Sequence, residues 1–349
     1  MQATGCLGRV DKAMPFILVF VVAFALSLSL MPLARLLGER YGFVAAPGGR
    51  RKHSGTKSRL GGVALYAAFV AVAVLAQFLP VERQDPRELT RLVGLLLGAT
   101  FIFLVGVYDD KKELSPAPQL TAQFITSLIA IYLLIVIDVI NNPFTNRPLW
   151  FPWFITLPFT LFWLMGMMNT VNWLDGLDGL AAGVTAILSA VLAFHMYREG
   201  QYSVTLLPLA LLAATLGFLP YNFHPARVFM GSSGSFFLGF AVGALGIIAG
   251  AKVATVLLVM GIPILDVAWL IFDRFRLGRS PLIGDRSHLH FRLLDLGLSQ
   301  RQIVFLYYIF CSLFGLLAML ISSRIYKFLA LLVLGAVTLL LLLFVSRKK

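Results

Sequence analysis

Four short stretches of this chain carry residue types that could do chemistry on phosphate. The first is Asp109-Asp110-Lys111-Lys112. Adjacent carboxylates raise each other's proton affinity, and the dipole at a helix C-terminus disfavours both. A divalent cation or a cationic partner would offset those penalties, as would Lys111 and Lys112 at a solvated helix end. The second stretch runs Asn169-Thr-Val-Asn172-Trp-Leu-Asp175-Gly-Leu-Asp178-Gly179. A step of three puts Asp175 and Asp178 on one face if helical. The same step from Asn169 drifts too far round a helix for one stripe, so a loop running into a helix start is expected. Gly176 and Gly179 leave room for a phosphate or a neighbouring backbone. A helix beginning there would also turn free amides toward an anion. Capping alone needs one Asp, not two Asp and two Asn.

The third stretch, Tyr221 to Ser235, joins His224 and Arg227 to the turn Gly231-Ser-Ser-Gly234-Ser235. Such a turn can offer backbone donors to phosphate oxygens or serve as a plain flexible connection. The fourth contains Arg279, Ser280-Pro281, Asp285-Arg286-x-His288-x-His290 and Arg292. His288 and His290 share a face if extended, and with Arg286 and Arg292 they suit a nucleotide-linked diphosphate. His-x-His can also take zinc, but no third ligand stands at a recognisable spacing. The first basic loop holds Arg50, Lys52 and His53 ahead of Arg59. It could grip a phosphate headgroup and serves equally as a topology signal. Asp266 either supports the cleft or pairs with an arginine of the fourth stretch.

The elements that must position these groups are membrane helices. The chain has 349 residues, is 59% hydrophobic and only 13% charged, and its mean hydropathy is +0.87. Apolar blocks of roughly 17–25 residues recur, the length that crosses about 30 Å of hydrocarbon. The expectation is an all-α polytopic protein with about eleven spans. They fall near residues 15–37, 60–80, 91–108, 117–138, 151–168, 177–195, 204–221, 234–250, 253–272, 303–322 and 326–346. The first reads as a retained span, since it lacks a cleavable small-residue site. Residues 1–349 read as one membrane domain, with 273–302 a loop carrying the His/Arg motif. Cys6 and Cys311 give neither a disulfide framework nor a metal spacing.

The net charge of +13 sits mostly in short loops, so it reads as topology and anionic-lipid contact rather than nucleic-acid binding. Arg40, Arg50, Arg51, Lys52, Lys57 and Arg59 crowd one loop, and Arg274 to Arg301 another. The opposite side holds scattered positives, among them Arg83, Arg87, Arg91, Arg147, Arg198, Lys252, Arg324 and Lys327. The bias places the N-terminus outside and the C-terminus in the cytoplasm. All four chemical stretches then face the cytoplasm, as one cleft requires. Paired carboxylates for Mg²⁺, basic residues for phosphate and apolar walls for a lipid chain together suggest transfer from a soluble nucleotide-linked donor to a membrane-embedded acceptor.

At this point the chain resembles the polyprenyl-phosphate N-acetylhexosamine-1-phosphate transferases of glycosyltransferase family 4. The resemblance spans about residues 15–300. It rests on Val107-Tyr-Asp109-Asp110, Asn169-x-x-Asn172-x-x-Asp175-Gly-x-Asp178-Gly179, Pro225-Ala-x-x-Phe229-Met230-Gly231, and Ser280-Pro281 with Asp285-Arg286-x-His288-x-His290. The last looks like the N-acetylglucosamine branch. The resemblance implies transfer of GlcNAc-1-phosphate from UDP-GlcNAc to undecaprenyl phosphate, releasing UMP with Mg²⁺ or Mn²⁺, in a bacterial cytoplasmic membrane. It assigns Asp109, Asp110, Asp175 and Asp178 to catalysis, and metal contact to Asp109, Asp110 and Asp175. Substrate contact goes to Asn172, Arg286, His288, His290 and Arg292, with His53, Arg50 and Lys52 on phosphate. Membrane lipids are further partners, and a homodimer is a compatible assembly.

The departures bear on competence. Ser232 stands where the family usually has a metal-binding Asp, and a hydroxyl is a poor anionic ligand. Phe291 replaces a common third histidine, Ala45 a common Asp, and Arg51 and Ser58 a Lys and a Pro. Three rival readings follow: the same chemistry with another UDP-N-acetylhexosamine, a catalytically impaired homologue, or a transporter of a lipid-linked substrate. A transporter should place its polar groups near the midplane, whereas these collect at one face.

Overall fold

The structure, a computed structural model, describes residues 4–45, 56–250, 252–278, 287–321 and 323–346. Within them the chain is helical apart from two short antiparallel ribbons. It runs α1 (Thr4–Tyr41), β1 (Val44–Ala45), β2 (Lys57–Ser58), α2 (Gly61–Leu75) with a 3₁₀ turn to Phe78, and α3 (Glu88–Lys112). Then come α4 (Pro116–Tyr132), β3 (Val139–Asn141), β4 (Pro148–Trp150), α5 (Trp153–Leu174), α6 (Leu180–Arg198), α7 (Tyr202–Asn222) and α8 (Gly231–Ile248). The chain closes with α9 (Val253–Val259), α10 (Gly261–Arg276), α11 (Leu289–Asp295), α12 (Gln300–Leu320) and α13 (Arg324–Ser346).

Among the described residues nine helices are long and apolar enough to cross a membrane, and up to ten if α9 and α10 count as one span bent by 82°. The sequence suggested eleven. The difference lies at 117–138, where α4 has only 17 residues. Leu134 takes a left-handed φ of 63°, and Ile135 to Ile137 continue outside any helix, with Ile135 and Ile137 fully buried. This β-branched, apolar run looks helical by hydropathy but favours extended backbone. It feeds β3, which pairs with β4.

Helix α8 is the centre of the bundle: every residue in it except Ser232 is buried. Small residues make that possible. A side chain at Gly62 of α2 or Gly106 of α3 would collide with the backbone of Gly234 or Ser233, so these glycines let three helices approach at backbone distance. The outer faces of α1, α5, α12 and α13 expose large apolar side chains such as Ile17, Phe162, Leu316 and Leu340, as lipid-facing surfaces do.

Up-and-down packing gathers alternate helix ends. Arg59, just before α2, meets Asp110 at the end of α3. Gly179, before α6, donates to Asn222 at the end of α7. Ser58 bridges Val228 ahead of α8, and Arg301 of α12 donates to the carbonyl of His224. The chemical stretches therefore share one end of the bundle. The other end is tied by Glu88 to Ser203 and Lys252 to Glu199.

Candidate active site

Both carboxylates that end α3 are held by named partners. Asp109 accepts from the amide of Leu114 at 2.8 Å and from Nε2 of Gln119 at 3.0 Å, which fixes the turn into α4. Asp110 accepts from the amides of Ser232 at 2.8 Å and Ser233 at 3.0 Å. Arg59 Nε lies 3.4 Å from the same carboxylate, whose side chain is fully buried. Asp110 thus caps the N-terminus of α8 from a neighbouring helix, where the positive end of one dipole offsets the negative end of another. Gly231 has φ +72°, and a side chain there would strike Asp110 and the carbonyl of Arg59.

Asp175 and Asp178 lie in the turn between α5 and α6, the loop-to-helix passage the spacing suggested, while Asn169 and Asn172 belong to the last turns of α5. Asp178 accepts from the amide of Ala226 at 3.0 Å and sits 3.0 Å from His224 Nδ1. Tyr308 donates to the carbonyl of Gly179 at 2.6 Å. Asn169 pairs its amide with that of Gln123. Asn172 is half-buried. Asp175 makes no side-chain hydrogen bond among the described residues. Burial, then the neighbouring charges of Asp178 and Asp110, push its carboxyl well above the usual carboxylate range, with Arg59 opposing. The charges of two further carboxylates and one guanidinium therefore act on this group.

The histidine stretch closes over the same turn. Asp266 of α10 lies 3.0 Å from His288 Nδ1 and accepts from the amide of Leu289 at 2.9 Å. It orients one imidazole and caps α11, so of the two roles weighed for Asp266 it supports the cleft. His290 stacks on His288 with 5.5 Å between ring centres. A side chain at Gly176 would run into His290 and Phe291, so that glycine makes room for histidine. Both ring nitrogens of His290 are buried without a partner among the described residues. Burial lowers its pKa to about 3, against a smaller rise from Asp266. Arg292 donates from Nε to the carbonyl of Ser287 at 2.6 Å. Arg50, Lys52, His53 and Arg286 lie outside the described residues.

Sequence reasoning left out Gln119 and Tyr308, which hold Asp109 and the Gly179 turn, and read Arg59 as part of a phosphate-gripping or topology loop, not as the partner of Asp110. Arg59 had a signal, a cation next to the Gly61-Gly62 pair, but it was lost in a loop whose charges also serve topology. His224, named in the sequence beside the glycine- and serine-rich turn, is found 3.0 Å from Asp178.

Among the described residues no three His, Cys, Asp or Glu side chains form a ready metal cage. The donor set still fits Mg²⁺, which is commonly bound by one or two carboxylates, waters and substrate phosphates. Of the carboxylates at this end, Asp175 has no hydrogen-bond partner among the described residues, and Asp110 and Asp178 add negative potential to it. Ser232 contributes an amide to Asp110 and is the one partly exposed residue of α8.

The profile of glycosyl transferase family 4 matches residues 92–250. The chain is 31% identical to a probable undecaprenyl-phosphate N-acetylglucosaminyl 1-phosphate transferase of Bacillus subtilis, covering 90% of this chain and 87% of that one. It is 30% identical to a decaprenyl-phosphate N-acetylglucosaminephosphotransferase of Mycolicibacterium smegmatis, over 84% and 78% of the two chains. It is 33% identical to an undecaprenyl-phosphate alpha-N-acetylglucosaminyl 1-phosphate transferase of Haemophilus influenzae, over 81% and 79%. With its long apolar helices and bacterial relatives, the chain is a multi-pass protein of the bacterial inner membrane.

Proposed function

The chain belongs to glycosyl transferase family 4, in its polyprenyl-phosphate N-acetylhexosamine-1-phosphate transferase branch, and from that membership we propose that it transfers GlcNAc-1-phosphate from UDP-GlcNAc to undecaprenyl phosphate. Transfer of a sugar phosphate from a UDP-sugar to a polyprenyl phosphate is the chemistry of the branch; the particular sugar and carrier are the proposal. The observation that carries it is Asp175, which has no hydrogen-bond partner among the described residues, feels the charges of Asp178, Asp110 and Arg59, and lies in a turn that touches His290. The resident cation would be Mg²⁺ or Mn²⁺, held by Asp175 together with substrate phosphates, and when bound it would neutralise charge on the diphosphate.

In the proposed step an oxygen of the lipid phosphate attacks the β-phosphorus of the donor. The new P–O bond forms as the bond to the UMP oxygen breaks, and UMP leaves with that electron pair. The acceptor phosphate is already ionised near neutral pH, so no carboxylate need act as a base. Neutral His290 has one N–H to give to a donor oxygen, while His288, turned by Asp266, presents its other nitrogen. Arg292, whose Nη1 is buried without a partner among the described residues, adds charge beside them. Asp109, Asp110 and Asp178 position the surrounding segments. Roles for Arg50, Lys52, His53 and Arg286 on phosphate rest on the sequence alone. By the charge bias the site faces the cytoplasm, with the N-terminus outside and the C-terminus inside, if α4, about 26 Å long at 1.5 Å per residue, and the bent pair α9–α10 each cross the bilayer, eleven spans in all.

The purified protein should release UMP from UDP-GlcNAc only when undecaprenyl phosphate and Mg²⁺ are both present. A rate no higher than that of Asp175→Asn would sink the enzyme reading. Ser232 favours a second reading, a homologue that binds lipid phosphate but turns over poorly. Ser232→Asp tests it: a faster variant identifies a weakened site, and an unchanged rate shows that position 232 is not the limit.

A further inference from the structure

We propose that the end of the bundle opposite the carboxylates carries a binding site for the phosphate headgroup of a membrane phospholipid. A cavity of about 600 Å³ lies there, among the ends of α6 and α12, the starts of α9 and α13, and β3. Arg198, Lys252, Arg324 and Lys327 line it, with Glu199 the single carboxylate among the described lining residues. In the sequence these four cations are dispersed over more than a hundred residues, on the side of the membrane where positive charge is disfavoured. The fold brings them together.

Their partners do not cancel the charge. Lys252 takes Glu199 at 2.6 Å. Arg198 donates to the carbonyl of Met319 at 3.4 Å and Arg324 to the carbonyl of Asn146 at 2.6 Å; both acceptors are neutral. Lys327 is half-buried, and its ammonium has neither hydrogen bond nor ion pair among the described residues. Like charges beside a low-dielectric interior repel strongly, and a bound anion removes that cost. The remaining wall is mostly apolar, with Phe159, Leu257 and Leu331, and adds the neutral polar groups of Asn141 and Thr255 and the ring of His195. A cationic rim above an apolar wall matches a charged head on an acyl chain, and it suits a soluble anion poorly. The volume is that of an ordinary small-molecule site. The site stands apart from the catalytic end, so the proposal does not depend on the reaction assigned there.

Thermal unfolding in detergent, titrated with short-chain phosphatidylglycerol, phosphatidylcholine, inorganic phosphate or undecaprenyl phosphate, tests it. Phosphatidylglycerol should raise the unfolding midpoint well above the effect of phosphatidylcholine. The double variant Lys327→Gln, Arg324→Gln should need about ten-fold more phosphatidylglycerol for half the shift. Glu199→Gln, which removes the competing carboxylate, should need less, so the idea remains testable if the double variant does not fold. Equal shifts from the two phospholipids would overturn the proposal, as would a Glu199→Gln variant that binds no tighter. A shift reproduced by inorganic phosphate alone would assign the cavity to a soluble anion. A shift given by undecaprenyl phosphate but not by phosphatidylglycerol, and removed by Lys327→Gln, would assign it to the carrier. Either result overturns the phospholipid.

Discussion

Asp110 and Asp175 are the same side chain put to different uses. Asp110 spends its oxygens on Ser232, Ser233 and Arg59; Asp175 spends none among the described residues. Asp175→Asn should therefore lower UMP release about 1,000-fold without loss of stability. The sign of its effect on folding follows from its raised pKa. The folded state holds that proton more tightly than the unfolded chain does, so its contribution to stability falls as pH rises from about 3.8 through the raised value. At pH 7.5 the neutral Asn should unfold at an equal or higher temperature, whereas Asp110→Asn should lose both stability and activity. His290 runs the other way. Its pKa drops from 6.5 to about 3, so between those values the unfolded chain binds the extra proton. Stability attributable to this ring is full above about 6.5 and is lost as pH falls toward 3. Unfolding midpoints taken across that range should slope less in His290→Gln.

At the scale of elements, α11 depends on one carboxylate from α10. Asp266→Asn should leave the bundle folded but free His288 from its set orientation. The expected result is a rise of about ten-fold or more in KM for the UDP-sugar, within the range seen when orienting groups are removed, with little change in KM for the lipid. Equal changes in both would argue for a general loss of structure. The spans were legible because each needs a long apolar run. The stop of α4 at Tyr132 was not, since hydropathy scores Ile135-Val-Ile137 alike whether helical or extended. The break between α9 and α10 had only Gly261 and Pro263 to signal it. The site divides in the same way. Its carboxylates and histidines stood out as polar groups in an apolar chain. What holds them was hidden: the pairs Arg59–Asp110, His224–Asp178 and Asp266–His288 join residues 51, 46 and 22 positions apart, and proximity of that kind exists only once helices pack.

For the whole molecule, the two ends differ in what they gather: carboxylates and histidines at one, four cations around a cavity at the other. Single cysteines placed at Glu113 and at Thr145, in a chain lacking Cys6 and Cys311, should react with an impermeant maleimide from opposite sides of the membrane. Labelling of intact cells should occur only at 145; labelling at 113 instead would invert the topology proposed for the site. The cap that Asp110 places on α8 has a consequence for genetics. Because the most buried helix begins at the end that gathers the carboxylates, a lesion at 110 should deplete the protein itself, while a lesion at 175 should leave a full complement of inert protein in the membrane. An overproduced 175 variant could then compete with the normal copy for donor and carrier and act dominantly, where a 110 variant would be merely recessive.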